Sequence, residues 1–289
     1  MRIQGEQPLK INYKLISPTA LAVANSRTFS DIPFAKEIFN TAIKIRGKSS
    51  PSSELLRLNE VAPNHEARYK LLNKLLLKNQ QKQILEIASG LSPRGISFAQ
   101  QSSINYVEMD LQDIMLTKIK ILRKVCRELP ANLHLETGNA LNLADLKSAT
   151  RHFDAKQEMA IINEGLLRYL NFSEKTAVAK NIYSLLHTFG GVWITPDITL
   201  KKGLEKEDKS ISILKSTKKI TGIDINQNAF ENQDEAKEFF ENLGFKVEIH
   251  SFLEVEDILV SPQRLKISKE KVRKIIGPWV VFVMKIKES

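Results

Sequence analysis

Cysteine is nearly absent: Cys126 is the single thiol among 289 residues. An intrachain disulfide and a cysteine-ligated zinc site are both excluded by that count. Long apolar runs are missing too. WVVFVM at 279–284 is typical of them and falls far short of the ~18 residues that span a bilayer. The opening MRIQGEQPLKINYK has no apolar stretch of the secretory type, so the expectation is a cytoplasmic protein. Repeats and low-complexity tracts are also lacking. What remains is ordinary globular material, 42% hydrophobic and 26% charged, which argues against wholesale disorder. A chain this long buries about three quarters of its unfolded surface and needs no covalent staples.

Acidic residues are the minority, 33 against 43 Lys and Arg, for a net charge of +10. The excess is local. Residues 1–80 hold 13 basic and 6 acidic residues, a net of +7, whereas 81–200 carry +1 and 201–289 carry +2. This bias points to an anionic partner or substrate and not to a basic stripe across the whole molecule.

Up to about residue 80 the pattern is helical, broken by SSPSS at 49–53 and by Pro63. EARYKLLNKLLL at 66–77 places Tyr69, Leu72, Leu75 and Leu76 on one helical face. The texture then changes. QILEIA at 83–88, INYVEM at 104–109, LHLET at 133–137, MAIIN at 159–163 and GVWIT at 191–195 read as strands. Helical stretches lie between them, which predicts a parallel sheet with helices on both faces. Beyond them, Asn232 or Asp234 caps a helix that Gly244 stops, and FKVEIHSF at 245–252 and WVVFVMKIK at 279–287 complete seven strands. The last has no helical crossover before it and is expected to be antiparallel. The charged segment 201–223 is expected to form an exposed loop or helix.

The fold class is therefore α/β: a Rossmann-like, seven-stranded, mostly parallel sheet with an antiparallel last strand, helices on both faces and an N-terminal helical lid. The chain divides into a lid and substrate segment at 1–80 and a core at 81–289, one structural domain with an insertion at about 200–245.

Ligands of such sheets bind beyond the carboxyl ends of the strands, where the strand order reverses. The first strand ends in LEIASGLSPRG (85–95), where Ala88, Ser89 and Gly90 permit a sharp turn. It is neither G-x-G-x-x-G nor a phosphate loop, and Pro93 lacks an N–H, so a ligand without phosphates suits it better. The second strand brings Glu108 and Asp110 to the same rim, a spacing at which acids reach ribose hydroxyls. The third brings Asn139 and Ala140, with Asn139 or Asp145 as a helix cap. The fourth brings Glu164 and Tyr169. Their convergence on one edge carries more weight than any one of them.

Taken together these stretches resemble class I S-adenosylmethionine-dependent methyltransferases. Within them they resemble the leucine carboxyl methyltransferase-like family, which includes polyketide O-methyltransferases. LEIASGLSPRG resembles the family's first motif, and EMDLQDIMLTKIKIL, with Lys118, its E-x-D and the helix after it. EGLLRYL (164–170) resembles its E-G-L-x-x-Y-L, and SPTALAVANSR (17–27) its opening T-A-x-x-x-A-x-x-R. The resemblance covers roughly residues 10–200. It implies S-adenosylmethionine as cofactor, with Arg68 on the methionine carboxylate and Ala88, Ser89 and Gly90 against the cofactor. It also implies Asp110 and Glu108 on the ribose, Asn139 and Ala140 near the adenine, and Glu164 near the amino group. Two departures stand out. Ala88 replaces the first glycine of Gly-x-Gly, where its methyl narrows the space, and Ser92 stands where Asp is usual.

The implied activity is an O-methyltransferase acting on a carboxylate or hydroxyl of a small or carrier-bound, anionic acceptor. A carboxylate acceptor, ionised above a pKa near ~4, needs no general base. A hydroxyl acceptor gains from one, for which Tyr169 and His187 are the weak catalytic candidates and His65 a similar one. Arg94 reads as a surface arginine covering the adjacent helix. No metal site is expected. The competing readings are an RNA or other nucleic-acid methyltransferase and a non-catalytic cofactor-binding protein. Against the former, NEGL replaces the N/D-P-P-Y turn of amino-directed enzymes, and Cys126 lies in a helical stretch away from the rim.

Overall fold

The computed structural model describes residues 17–46, 57–201 and 225–287. Its order is α1 (Ser17–Arg27), α2 (Ala35–Arg46), α3 (Ala62–Asn79), β1 (Gln83–Ile87), α4 (Arg94–Phe98), β2 (Asn105–Asp110), α5 (Gln112–Val125) and β3 (Leu133–Thr137). There follow α6 (Leu143–Ala149), β4 (Met159–Asn163), α7 (Phe172–Phe189), β5 (Gly191–Thr195), α8 (Gln233–Asn242), β6 (Phe245–Ser251), α9 (Ser261–Arg264), α10 (Lys269–Ile276) and β7 (Val280–Ile286). The strands form one sheet in the order β3-β2-β1-β4-β5-β7-β6. β1 to β5 pair in parallel, and β7 runs antiparallel between β5 and β6. The order reverses between β1 and β4, so the switch point lies beyond Ile87 and Asn163.

The helices cover both faces, and the strands at the centre are apolar on both as a result. Strand alternation sorts their residues. Leu85, Ile87, Val107, Met109, Met159 and Ile161 face the side packed by α7 and α8. Ile84, Tyr106, Ala160 and Ile162 face the other side, against Leu71, Leu72, Leu75 and Leu76 of α3. Glu86, Glu108 and Glu164 share the parity of that second set. Three carboxylates thus point under α3, α4 and α5, the elements that carry Arg68, Arg94 and Lys118. The charge pattern of the site follows from this register.

α3 does more than precede the sheet. Its apolar face belongs to the same cluster as the strands. On its outer side Lys70 donates to the carbonyl of Ile258 at 2.6 Å and Lys78 pairs with Glu248 at 3.3 Å, tying it to the C-terminal part of the chain. α8 begins at Asn232, whose side chain accepts the N–H of Glu235, so Asn232 and not Asp234 is its cap. α4 starts two residues before the ISFAQQ stretch read from sequence. Of the segment 201–223, all but Lys201 lies outside the described residues. Among the described residues no helix is long and apolar enough to cross a membrane.

Gly191 opens β5 at φ +100, where a Cβ would stand 2.0 Å from the carbonyl oxygen of Met159 on the neighbouring strand. Both the conformation and the contact exclude a side chain. Gly191→Ala is expected to cost more than about 2 kcal/mol in urea unfolding, and an unchanged midpoint would contradict this packing.

Candidate active site

The turn after β1 is built from two residues in the left-handed region, Ala88 at φ +53 and Gly90 at φ +50. Ala88 is unusual there, since a side chain at positive φ costs about 1–2 kcal/mol. Most of the turn's amides already have partners within the protein. Ser89 N–H donates to the carbonyl of Met109, Ser92 N–H to that of Ser89, and Arg94 N–H to Ser92 Oγ. Gly90 N–H donates to Asp110 Oδ2 at 2.6 Å, and Leu111 N–H to Asp110 Oδ1 at 2.7 Å. A pyrophosphate has no nest of amides to occupy here. Burial pushes the Asp110 carboxyl up, opposed by those two N–H groups.

A cleft opens over this turn. Ala88, Ser89 and Gly90 line it from β1, Asp110 from β2, Asn139 and Ala140 from β3, and Glu164 and Tyr169 from β4. Thr19, Ala20, Val23 and Arg27 of α1, together with Arg68 of α3, close its far side. The convergence expected at the strand ends is therefore present in space. Asn139 Oδ1 accepts the N–H of Leu141 at 3.0 Å. The cap of α6 is neither Asn139 nor Asp145 but Asn142, while Asp145 accepts the N–H of Asn139 at 2.8 Å. Tyr169 lines the cleft and its hydroxyl donates to Thr19 Oγ1 at 3.4 Å.

The most charged part is one carboxylate among three guanidinium groups. Glu164 Oε1 accepts from Arg27 Nη2 and from Arg68 Nε, the latter at 2.8 Å, and Oε2 accepts from Arg94 Nη2 at 2.9 Å. Burial alone would raise the Glu164 carboxyl, but Arg27, Arg68 and Arg94 outweigh it and hold it well below the usual carboxylate range. Arg94 is shared with Glu86 at 2.5 Å, and Glu86 in turn accepts from the Tyr106 hydroxyl at 2.8 Å. Three cations face two anions. This cluster carries one positive charge in excess, and Asp110 brings a further carboxylate to the same cleft lining.

Several expectations need correction. Arg94 is not a surface residue: it is fully buried, bonded to Asn73 and the two glutamates, and stacked on Tyr69 at 4.5 Å. Ser92, where Asp is usual, accepts the Arg94 N–H. Glu108 does not reach the cleft. It lies two residues short of the end of β2, under α4, where it accepts the Gly95 N–H at 3.2 Å and pairs with Lys118 at 2.6 Å. Burial pushes its carboxyl up to about 7 against the pull of Lys118. His187 is exposed and stacks on Tyr183. α7 runs from the carboxyl end of β4 back to the start of β5, which puts its last turn at the opposite edge of the sheet. His65 lies outside the cleft lining, with Nδ1 2.5 Å from Ser26 Oγ. Burial, with Arg68 and Arg27, drives its pKa well down. Among the described residues no group of three or more His, Cys, Asp or Glu could hold a metal ion.

The sequence alone assigns no role to Arg27 or Glu86, although Glu86 carries a signal: a carboxylate inside a buried strand requires a cation. Arg94→Leu strands Glu86 and weakens the hold on Glu164. It is expected to cost about 3–5 kcal/mol in urea unfolding, and a loss below about 1 kcal/mol would contradict the cluster's structural weight.

The family described as leucine carboxyl methyltransferase matches residues 16–183, more than half of the chain. No curated protein matches it in sequence. Among solved structures, an O-methyltransferase family protein from Burkholderia thailandensis superposes with a TM-score of 0.50 at 11% identity, covering 95% of this chain and 72% of its own. The methyltransferase domain of bacterial CtHen1 gives a TM-score of 0.50 at 11% identity, over 77% of this chain and 100% of that domain. At such identities the likeness concerns the fold alone. The family match rests on the sequence itself and spans α1, the turn after β1, Asp110 and the Glu164 turn, so the chain belongs to the leucine carboxyl methyltransferase family and is an S-adenosylmethionine-dependent methyltransferase.

Proposed function

We propose that the chain is an O-methyltransferase whose acceptor is a carboxylate or hydroxyl of a small or carrier-bound, anionic molecule, a carboxylate being favoured. The observation that carries this reading is that nothing in the cleft is placed to take a proton from a hydroxyl: among the described residues no histidine lines it, and the carboxylates of Glu164 and Asp110 are already engaged. S-Adenosylmethionine, when bound, supplies a methyl group on a sulfonium, a good leaving group.

The residues present suit such a ligand. Arg68 uses only Nε toward Glu164, and its terminal nitrogens have no protein partner among the described residues, which fits the bidentate grip of a guanidinium on a carboxylate. Ser89 Oγ is buried against the cleft with no partner, an atom that awaits a ligand or water. Gly90 leaves open space, since a Cβ there would meet only Ala20 at 3.8 Å. Asp110 and Asn139 line the same cleft and would take the ribose and the adenine. Glu164, shared among three arginines, would hold the amino group.

No histidine lines the cleft among the described residues. Glu164 is held ionised by guanidinium groups, and each Asp110 oxygen already accepts an N–H. None is placed to deprotonate an alcohol. A carboxylate, with a pKa near ~4 in water, arrives ionised. The chain's task is then to align the acceptor and exclude water. Residues 1–80 serve as the lid in this reading, supported by the wall that α1 gives the cleft. The positive charge of the lid segment favours an anionic acceptor, and nucleic acid is disfavoured because +7 of the +10 lies in that segment.

Arg68→Ala is expected to weaken S-adenosylmethionine binding more than ~10-fold by isothermal titration, with an unchanged circular dichroism spectrum. An unchanged dissociation constant would refute the carboxylate role, and no binding to the unaltered protein would refute the cofactor site.

A further inference from the structure

The turn that carries Glu164 and Tyr169 is held by a residue beyond the segment matched to the family. Asp197 lies two residues past β5 and is 4% exposed. Its Oδ1 accepts the N–H of Gly165 at 2.8 Å. Its Oδ2 accepts from Leu166 N–H at 2.6 Å, Leu167 N–H at 3.1 Å and Asn163 Nδ2 at 2.7 Å. Asn163 is itself fixed, because its Oδ1 accepts from Trp193 Nε1 at 2.7 Å. Four donors thus converge on a group that can only accept.

No cation neutralises Asp197 directly among the described residues. Lys175, the nearby buried amine, donates instead to the carbonyls of Leu170 at 2.5 Å and Asn228 at 2.8 Å. The turn is therefore gripped at its first residues by Asp197 and at its last by Lys175. Between them Leu167 and Leu170 are buried in the core, with Leu166 packed against it, but the start of the turn lacks such support. Gly165 sits at φ +83 with no atom within 4 Å of the place a Cβ would take. At Gly165, where no side chain packs, the turn's path is set by three consecutive amides on one carboxylate, and packing takes over from Leu167 onward.

We propose that Asp197 is a positioning residue for the cofactor site: by fixing the amides of residues 165–167 it presents Glu164 to Arg27, Arg68 and Arg94, and so sets the affinity for S-adenosylmethionine without touching it. This rests on the reading of the cleft as the cofactor site. Asparagine cannot replace it. The amide has the same size, but either way round its NH2 meets an N–H donor where the carboxylate offered an acceptor.

The test uses the full chain. Asp197→Asn is expected to weaken S-adenosylmethionine binding roughly tenfold or more in isothermal titration. Amide exchange at Gly165, Leu166 and Leu167 should accelerate, while α3 exchanges as before. In a Glu164→Gln background the same substitution should change the dissociation constant by less than about twofold, because its effect runs through Glu164. Should Asp197→Asn fail to fold, Trp193→Phe removes the donor to Asn163 and is expected to weaken binding about threefold with faster exchange at the same amides. Unchanged affinity in the variant that folds, or an equal loss with and without Glu164, overturns the proposal. Absence of binding by the unaltered protein instead overturns the cofactor reading beneath it, and the exchange comparison still judges the grip on the turn.

Discussion

One buried carboxylate shared by three guanidinium groups is the constraint around which this molecule is arranged. Glu164 brings together Arg27 from α1, Arg68 from α3 and Arg94 from α4, three elements far apart in sequence. None of these charges would be tolerable alone at such burial. Each makes the others acceptable, and Glu86 with Tyr106 completes the set beneath. Within it Arg27 and Arg68 form the wall of the cleft that faces the turn after β1.

The sheet delivers these groups through its register. Glu86 and Glu164 stand on the same face because strand side chains alternate with a period of two, and β1 pairs with β4 at the switch point. Glu108 follows the same parity on β2 but lies deeper, so α5 answers it with Lys118 and not with a ligand. One rule thus yields both a ligand-facing cluster and a purely structural pair. The difference is only how many residues short of the strand end each carboxylate falls.

Much of this was readable in the sequence. The seven strands were recognisable because parallel strands buried on both faces leave short apolar runs, such as MAIIN and GVWIT, at regular spacing. Asp110, Asn139, Glu164, Tyr169 and Arg68 line one cleft because strand ends and the helix before the sheet converge there whatever the detailed packing. Arg94 was misread for a physical reason: exposure is the usual state of a charged residue, and its partner Glu86 lies in another element. Glu86 and Glu108, carboxylates in the middle of QILEI and NYVEMD, were the available clue. Asp197 had no local signature, since its partners are backbone amides of a turn thirty-odd residues earlier.

The cofactor match is likewise a statement about charge. In the proposed reading Arg68 takes the cofactor's carboxylate and Asp110, at the end of β2, its ribose. The most direct measurement is calorimetric binding of S-adenosylhomocysteine and of its decarboxylated analogue to the unaltered protein. The account predicts that losing the carboxylate weakens binding by roughly tenfold or more. Equal affinities for the two ligands would contradict it.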